Sequence, residues 1–291
     1  MHERASAAAT IMIFRLRRYA MATALCPASM LRLHGADATA FAHAQFTTDV
    51  RELAPGRCGW SAWLDAQGRV RAVFALLRID ADTLFMWAPL ADAMALAADL
   101  SRFVLRSRVR VEAIEGWQVF QLDEDDVPAA FDWASYTDGY ALRLPGEHTR
   151  GIALAPGHAT ADTAAFDAWQ RANIADRLPW IGPASAARYV PQALELERIG
   201  AIRFDKGCYP GQEIAARLHF RGGTKRGLRV VEAGEGHAAD GAGLVDADGA
   251  VVGHVLYGVV AADGRTAEAL AVVNLDAGAV RPAPSPPQGD V

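Results

Sequence analysis

The chain has 291 residues, 52% of them apolar and 22% charged, which reads as a soluble globular protein of one to three domains. A net charge of -5 excludes a protein that coats nucleic acid or an anionic membrane with its whole surface, so any anion site must be a local patch. The three cysteines, Cys26, Cys58 and Cys208, form no CxxC pair. That excludes a zinc ribbon and a thioredoxin-type dithiol, and it suits a reducing cytoplasm, the expected location.

Arg15, Arg17 and Arg18 follow the apolar Ile11–Phe14 in the reverse order of a signal peptide. Residues 1–24 are expected to be disordered or a mis-assigned start, with translation beginning at Met21, and a weak transit peptide is the alternative. Met30–His34 alternates as a strand, and Gly35-Ala36-Asp37 opens a helix through Phe46. Trp60–Trp63 and Val70–Ile79 are expected strands joined by the turn Asp65-Ala66-Gln67-Gly68, with a further strand at Thr83–Trp87. An Ala/Leu-rich helix is expected from Leu90 to Leu105, then strands at Val109–Ile114 and Trp117–Leu122. A helix from Thr163 to Arg177 carries Phe166, Trp169 and Ile174 on one stripe, read as core. Beyond Gly223 the pattern changes to short strands, Leu228–Val231, Gly243–Asp246, Val251–Val260 and Ala267–Val273, with Asp248-Gly249 as a hairpin turn. The Pro-rich end, 282–291, is expected to be disordered. Helices set between strand pairs indicate an α+β class with a late β-barrel.

The densest chemistry lies in Phe204-Asp205-Lys206-Gly207-Cys208-Tyr209-Pro210-Gly211-Gln212-Glu213. Gly207, Pro210 and Gly211 predict a tight turn, and Gln212–Leu218 a short helix after it. A thiol placed just before a helix start and two residues from Lys206 favours its thiolate. Lys206 and Lys225 are the only lysines in a chain that otherwise uses arginine. From Lys206 to Arg229 the cations Lys206, Arg217, Arg221, Lys225, Arg226 and Arg229 face one acid, Glu213. On residue chemistry alone this is an anion site beside a reactive thiol, weighed evenly against a buried cysteine under a solvated cationic face.

Lys206 to Glu213 also resembles the Lys-Gly-Cys-Tyr-x-Gly-Gln-Glu signature of the YgfZ family, folate-binding relatives of the glycine-cleavage T-protein, and matches every fixed position. Similar stretches are Gly35-Ala36-Asp37, Gln45–Val50, Asp65–Gly68, Phe103–Val109, Tyr189–Gln192, Gly200–Phe204, Ala216-Arg217 and Phe220-Arg221-Gly222. The resemblance implies T-protein-like folate-binding domains around a central channel over 25–222, in two subdomains, and a C-terminal β-barrel over 223–281. It implies a tetrahydrofolate-binding accessory protein, a monomer that assembles or repairs iron–sulfur proteins with client or assembly proteins as partners. Neither nucleic acid nor a membrane is among the expected partners.

On the same resemblance Cys208 and Lys206 would carry the chemistry, and Lys206, Tyr209, Gln212, Glu213, Arg217 and Arg221 would meet the folate. Trp60 or Trp63 would stack its pterin. No resident metal is implied, since one cysteine supplies a quarter of the usual cluster ligands. The T-protein carries acids shortly after the glycine of its early hairpin; Arg69, Val70, Arg71 and Ala72 stand there in this chain. A folate-dependent one-carbon transferase is therefore the alternative rather than the first reading. Glu195, where some relatives carry asparagine, would repel the folate tail or bind a pterin amine. A thiol-redox enzyme would need Cys58 as resolving cysteine.

Overall fold

A computed structural model describes residues 22–136, 138–234, 238–260 and 266–283. In chain order the elements are β1 (Ala24–Pro27), β2 (Met30–His34), α1 (Ala38–Gln45), β3 (Cys58–Leu64), β4 (Val70–Arg78), β5 (Thr83–Trp87), α2 (Ala93–Ser101), β6 (Arg110–Ile114) and β7 (Trp117–Gln121). They continue with β8 (Trp133–Tyr136), β9 (Gly139–Arg143), β10 (Gly151–Pro156), α3 (Thr163–Ala175), α4 (Gln212–Arg221), β11 (Arg226–Gly234), β12 (Gly243–Val245), β13 (Val251–Val260), β14 (Thr266–Asn274) and β15 (Arg281–Pro282).

The strands form three five-stranded sheets, each antiparallel throughout: β3-β4-β5-β2-β6, β1-β7-β10-β9-β8 and β11-β14-β13-β12-β15. Strand parity sorts the side chains of β3 and β4 to two cores. Trp60, Ala62, Val73, Ala75 and Leu77 join the larger core, which takes in Trp87, Leu154, Trp169, Trp180 and, from the last sheet, Leu256 and Leu270. Trp63, Phe74 and Leu76 face the other way, against Phe46 of the α1 end and Leu96 and Leu100 of α2. The larger core draws on all three sheets, so it is the common centre around which the site is built.

The strands expected at Met30–His34, Thr83–Trp87 and Val251–Val260 are present with those bounds, and Gly249, at φ +83°, makes the expected turn. Trp169 and Ile174 are buried in the larger core and Phe166 packs on it. Other expectations shift. The Leu90–Leu105 helix shrinks to α2, because Leu90 sits at φ +66° and the Asp92 side chain caps the helix through the Ala95 amide. The Thr163 helix stops at Ala175 because Arg177 turns left-handed, at φ +49°. The expected C-terminal barrel is present in part: among the described residues it is a single five-stranded sheet that curves as half a barrel. Its edges, β11 and β15, come close but are not hydrogen-bonded to each other.

Of the stretch 1–24, residues 1–21 lie outside the described residues, and Ala24 opens β1. Of the Pro-rich end, 284–291 lie outside them, while Pro282 pairs with Leu244. Among the described residues no helix is long and apolar enough to cross a membrane.

Candidate functional site

The motif turn is held by contacts from three directions. Gly211 adopts φ +74°, and a Cβ there would lie 2.4 Å from the Asp65 carbonyl oxygen and 2.6 Å from the Gly68 Cα. Gly68, also at φ +74°, closes the β3–β4 hairpin, and a Cβ on it would lie 2.9 Å from the Ile214 Cβ of α4. Two bare backbones therefore meet where the hairpin turn docks on the motif turn, an approach that glycine alone permits on both sides. Tyr209 is buried and its hydroxyl donates to the Arg203 carbonyl at 3.1 Å. Gln212 donates from Nε2 to the Lys206 carbonyl at 3.4 Å.

Lys206 supplies the third direction. Its Nζ donates to the carbonyls of His43 and Phe46, the latter at 2.6 Å, so it caps the open C-terminal end of α1. Nζ also lies 5.0 Å from the centre of the Tyr209 ring. Burial pushes the Lys206 amine down to about 8, against a smaller upward pull from Asp49. The lysine thus does structural work on α1 as well as neighbouring Cys208, which is exposed and free. Cys26 and Cys58 are also free, but burial pushes both thiols up to about 12. Cys58 Sγ donates to the Asp132 carbonyl at 3.3 Å.

His43 and Asp49 belong to this region and were not found from the sequence. His43 Nδ1 lies 3.1 Å from Asp49 Oδ1, an ion-pair approach without hydrogen-bond alignment, and both side chains are largely buried. Burial and then the Lys206 ammonium hold His43 below the usual histidine range. Burial opposes ionisation of Asp49, but the Arg51 and Glu52 amides and His43 outweigh it and hold the carboxyl low. The signal in the sequence was the Gln45–Val50 stretch, which the resemblance marked without a role.

Asp49 also lines a cleft. One lobe, about 260 Å³, is formed by Thr48, Asp49, Glu52, Arg57, Arg203 and neighbours; a second, about 330 Å³, by Arg143, Leu144, Arg198 and Ile199 among others. The lobes share Cys58, Gly59, Trp60, Phe131 and Gly200. Trp60 is the aromatic floor, backed by Trp180 at 5.0 Å and Trp87 at 6.2 Å between ring centres. Phe131 stands at the mouth, 59% exposed and at φ +65°, a costly conformation for a bulky residue and one that concentrates at functional positions. Of the two tryptophans named from sequence, Trp60 is in the cleft. Trp63, one step out of phase, lies in the second core with the Arg71 guanidinium 4.5 Å above its ring.

The cleft arginines differ in their commitments. Arg57 pairs with Asp132 at 2.6 Å, Arg203 with Glu52 and Asp205, each at 2.7 Å, and Arg198 with Glu195 at 3.1 Å. Arg143 reaches only the Thr149 hydroxyl, at 3.2 Å, and has no carboxylate partner among the described residues. Glu195 is left-handed, at φ +52°, where asparagine would sit with less strain, and its carboxylate is taken up by Arg198 and Arg177. The residues after Gly68 are likewise engaged: Arg69 donates to the Arg188 carbonyl at 2.6 Å, and Arg71 pairs with Asp99.

The motif side chains are not in the cleft lining; they adjoin it through Arg203. Cys208, Glu213, Arg217 and Arg221 are exposed, the last three on α4. The cleft lining offers an indole, an exposed phenyl and, in Arg143, one guanidinium without a carboxylate partner among the described residues. Each lobe lies near the lower end of the range of about 300–1,000 Å³ usual for ligand sites. Among the described residues no three His, Cys, Asp or Glu side chains gather closely enough to hold a metal ion.

No family model matches the chain. A protein from Vibrio atlanticus named tRNA-modifying protein YgfZ is 28% identical over 219 residues, covering 70% of this chain and 67% of that one. A protein of the same name from Enterobacter sp. strain 638 is 28% identical over 262 residues, covering 79% and 77%. An uncharacterized Haemophilus influenzae protein is 28% identical over 207 residues, 69% of each chain. The crystal structure of the glycine cleavage system aminomethyltransferase T from Bartonella henselae superposes with a TM-score of 0.62, covering 87% of this chain and 78% of that one at 15% identity. The fold is therefore that of the T-protein.

Proposed function

We propose, for a chain that belongs to the YgfZ family, that it binds tetrahydrofolate in the Trp60–Phe131 cleft and supports assembly or repair of iron–sulfur proteins through Cys208. The observation that carries this reading is the single segment 203–209. Its first residue lines the cleft, and the buried Tyr209 ties that residue's carbonyl to the turn presenting the exposed thiol.

In this reading Trp60 stacks the pterin and Phe131 closes over it, while Arg143 takes a glutamate carboxylate of the tail. Bound folate supplies one-carbon chemistry or a structural brace. Lys206 and Tyr209 position the turn rather than touch the ligand, and Gln212 braces the Lys206 carbonyl. Cys208 acts as a carrier or exchanging thiol toward a cluster that belongs to the partner. The name tRNA-modifying carried by the relatives fits service to a modifying enzyme, and a net charge of -5 offers little purchase for tRNA itself.

A folate-dependent one-carbon transferase is the second reading, favoured by the T-protein fold. Asp49 and Glu52 are the carboxylates of the cleft lining, and an Asp49 held well ionised is a weak proton acceptor.

Calorimetric titration of tetrahydrofolate into wild type, Trp60→Leu and Lys206→Ala tests the site. Saturable binding that falls at least tenfold in Trp60→Leu supports it; no binding to wild type overturns the folate part. Cellular activity of iron–sulfur enzymes in Cys208→Ala tests the thiol, and unchanged activity overturns that part. Turnover of a methylamine donor with tetrahydrofolate would move the assignment to the transferase.

A further inference from the structure

Along α4 the buried position is Ala215. At 100° per residue the opposite side of the helix carries Glu213, Arg217, Phe220 and Arg221, flanked by Ile214. Phe220 is 72% exposed and Ile214 42% exposed, large apolar surface in a region otherwise polar. Phe220 is held rather than loose: its ring meets His219 edge-on at 4.6 Å, and His219 stacks on Phe204 at 4.3 Å and reaches Glu197 at 3.0 Å.

The side chains of Arg217, Arg221 and Lys225 have no ion-pair or hydrogen-bond partner among the described residues, unlike the arginines of the cleft. Gly222 and Gly223, which follow, face open space. Cys208 lies four residues ahead of the helix, on the turn from which α4 starts. An anchored aromatic ring among uncommitted cations, on the helix that leads away from the thiol turn, is the composition of an interface rather than of an ordinary solvated face.

We propose that this outward face of α4 is a docking surface for an acidic, apolar-bearing segment of a partner protein, which brings the partner's reactive centre to Cys208. The inference rests on the reading of Cys208 as the reacting thiol, and it names the chemistry of the partner. Charge complementarity selects the occupant. Three free cations suit a short acidic segment and Phe220 suits an apolar anchor. A nucleic-acid backbone would gain few phosphate contacts here and would leave the exposed Phe220 ring without an apolar partner.

The test uses the full chain and a synthetic twelve-residue peptide of Glu and Leu with one cysteine activated as a mixed disulfide with thionitrobenzoate. Cys208 thiolate attacks the peptide sulfur, a peptide–Cys208 disulfide forms, and thionitrobenzoate leaves with the electron pair of the broken S–S bond and is read by absorbance. The acidic peptide is expected to react at least tenfold faster than its Gln-for-Glu counterpart, with the advantage fading at high salt. Arg217→Glu with Arg221→Glu should abolish the preference and Phe220→Ser should cut it severalfold. Both variants alter exposed side chains, and their rate with dithiodipyridine, a small neutral disulfide reagent, should match wild type.

Equal rates for the two peptides on wild type, or a preference that survives charge reversal, overturn the proposal. Displacement of the acidic peptide by stoichiometric tRNA also overturns it, in favour of nucleic acid. If the small reagent fails to modify Cys208, the thiol reading falls by itself. Fluorescence anisotropy of a cysteine-free acidic peptide then decides the docking face: binding lost on charge reversal upholds it, and no binding overturns it.

Discussion

Gly211 and Gly68 touch backbone to backbone: a Cβ on Gly211 would lie 2.6 Å from the Gly68 Cα, and both residues sit at φ +74°. Through this contact the early hairpin holds the thiol turn. Gly211→Ala is expected to cost roughly 2–4 kcal/mol of stability, combining left-handed strain with a backbone clash. Gly249→Ala, at φ +83° with nothing nearby, isolates the strain alone and should cost about 1 kcal/mol. Urea titration of the two variants checks the difference, and equal losses would mean the turns are not in contact.

Lys206 is expected to lose its proton near pH 8, because the burial that holds it on α1 penalises the ammonium. Its folded value lies below the ordinary 10.5, so the unfolded chain binds more protons between those limits. Stability should therefore rise as pH goes from 8 toward 10.5, and Lys206→Met should lack that rise. Competitive acetylation of the Lys206 peptide against pH, together with denaturation at pH 7.5 and 9.5, reads both effects.

Alkylation under native conditions is expected to modify Cys208 alone, since Cys58 is buried, Cys26 is partly buried, and burial pushes both thiols up to about 12. Mass spectrometry should show one adduct on the folded chain and three after unfolding. Rapid native labelling of Cys58 would show that the cleft opens far more widely than its lining indicates.

Phe131 trades stability for its place at the cleft mouth. Phe131→Asn should leave stability unchanged or raise it by up to about 1 kcal/mol, since asparagine tolerates the left-handed backbone. The same change should weaken tetrahydrofolate binding about tenfold by removing an aromatic wall. Thermal unfolding and calorimetry on one preparation check the pair, and a loss of both would mark Phe131 as merely structural.

β2 was legible from its alternation, and β5 and β13 from runs of apolar, β-branched and aromatic residues that end at turn residues. The thiol motif was legible because its glycines, proline and lysine stand together. Trp60 and Trp63 could not be told apart, since each has a buried side and only the assembled sheets show that one side faces the cleft and the other α2. β1, β8, β9 and β10 escaped notice: they are short, and their sheet is assembled by β1 and β10 pairing with β7, with β9 added on β10 and β8 on β9. Lys206 was read through its neighbour Cys208, whereas its hydrogen-bond partners, His43 and Phe46, lie more than a hundred positions away. The barrel was expected from strand count, which does not say whether the edge strands join.

Under the proposed function, the Tyr209–Arg203 hydrogen bond would link the turn that bears the thiol to the wall of the folate cleft. Linkage is reciprocal: whatever factor a filled cleft applies to a binding equilibrium at Cys208, the occupied thiol must return to folate. A partner that grips Cys208 would then be sensed as a change in vitamin affinity, and cellular folate supply would be written into how readily that partner is released.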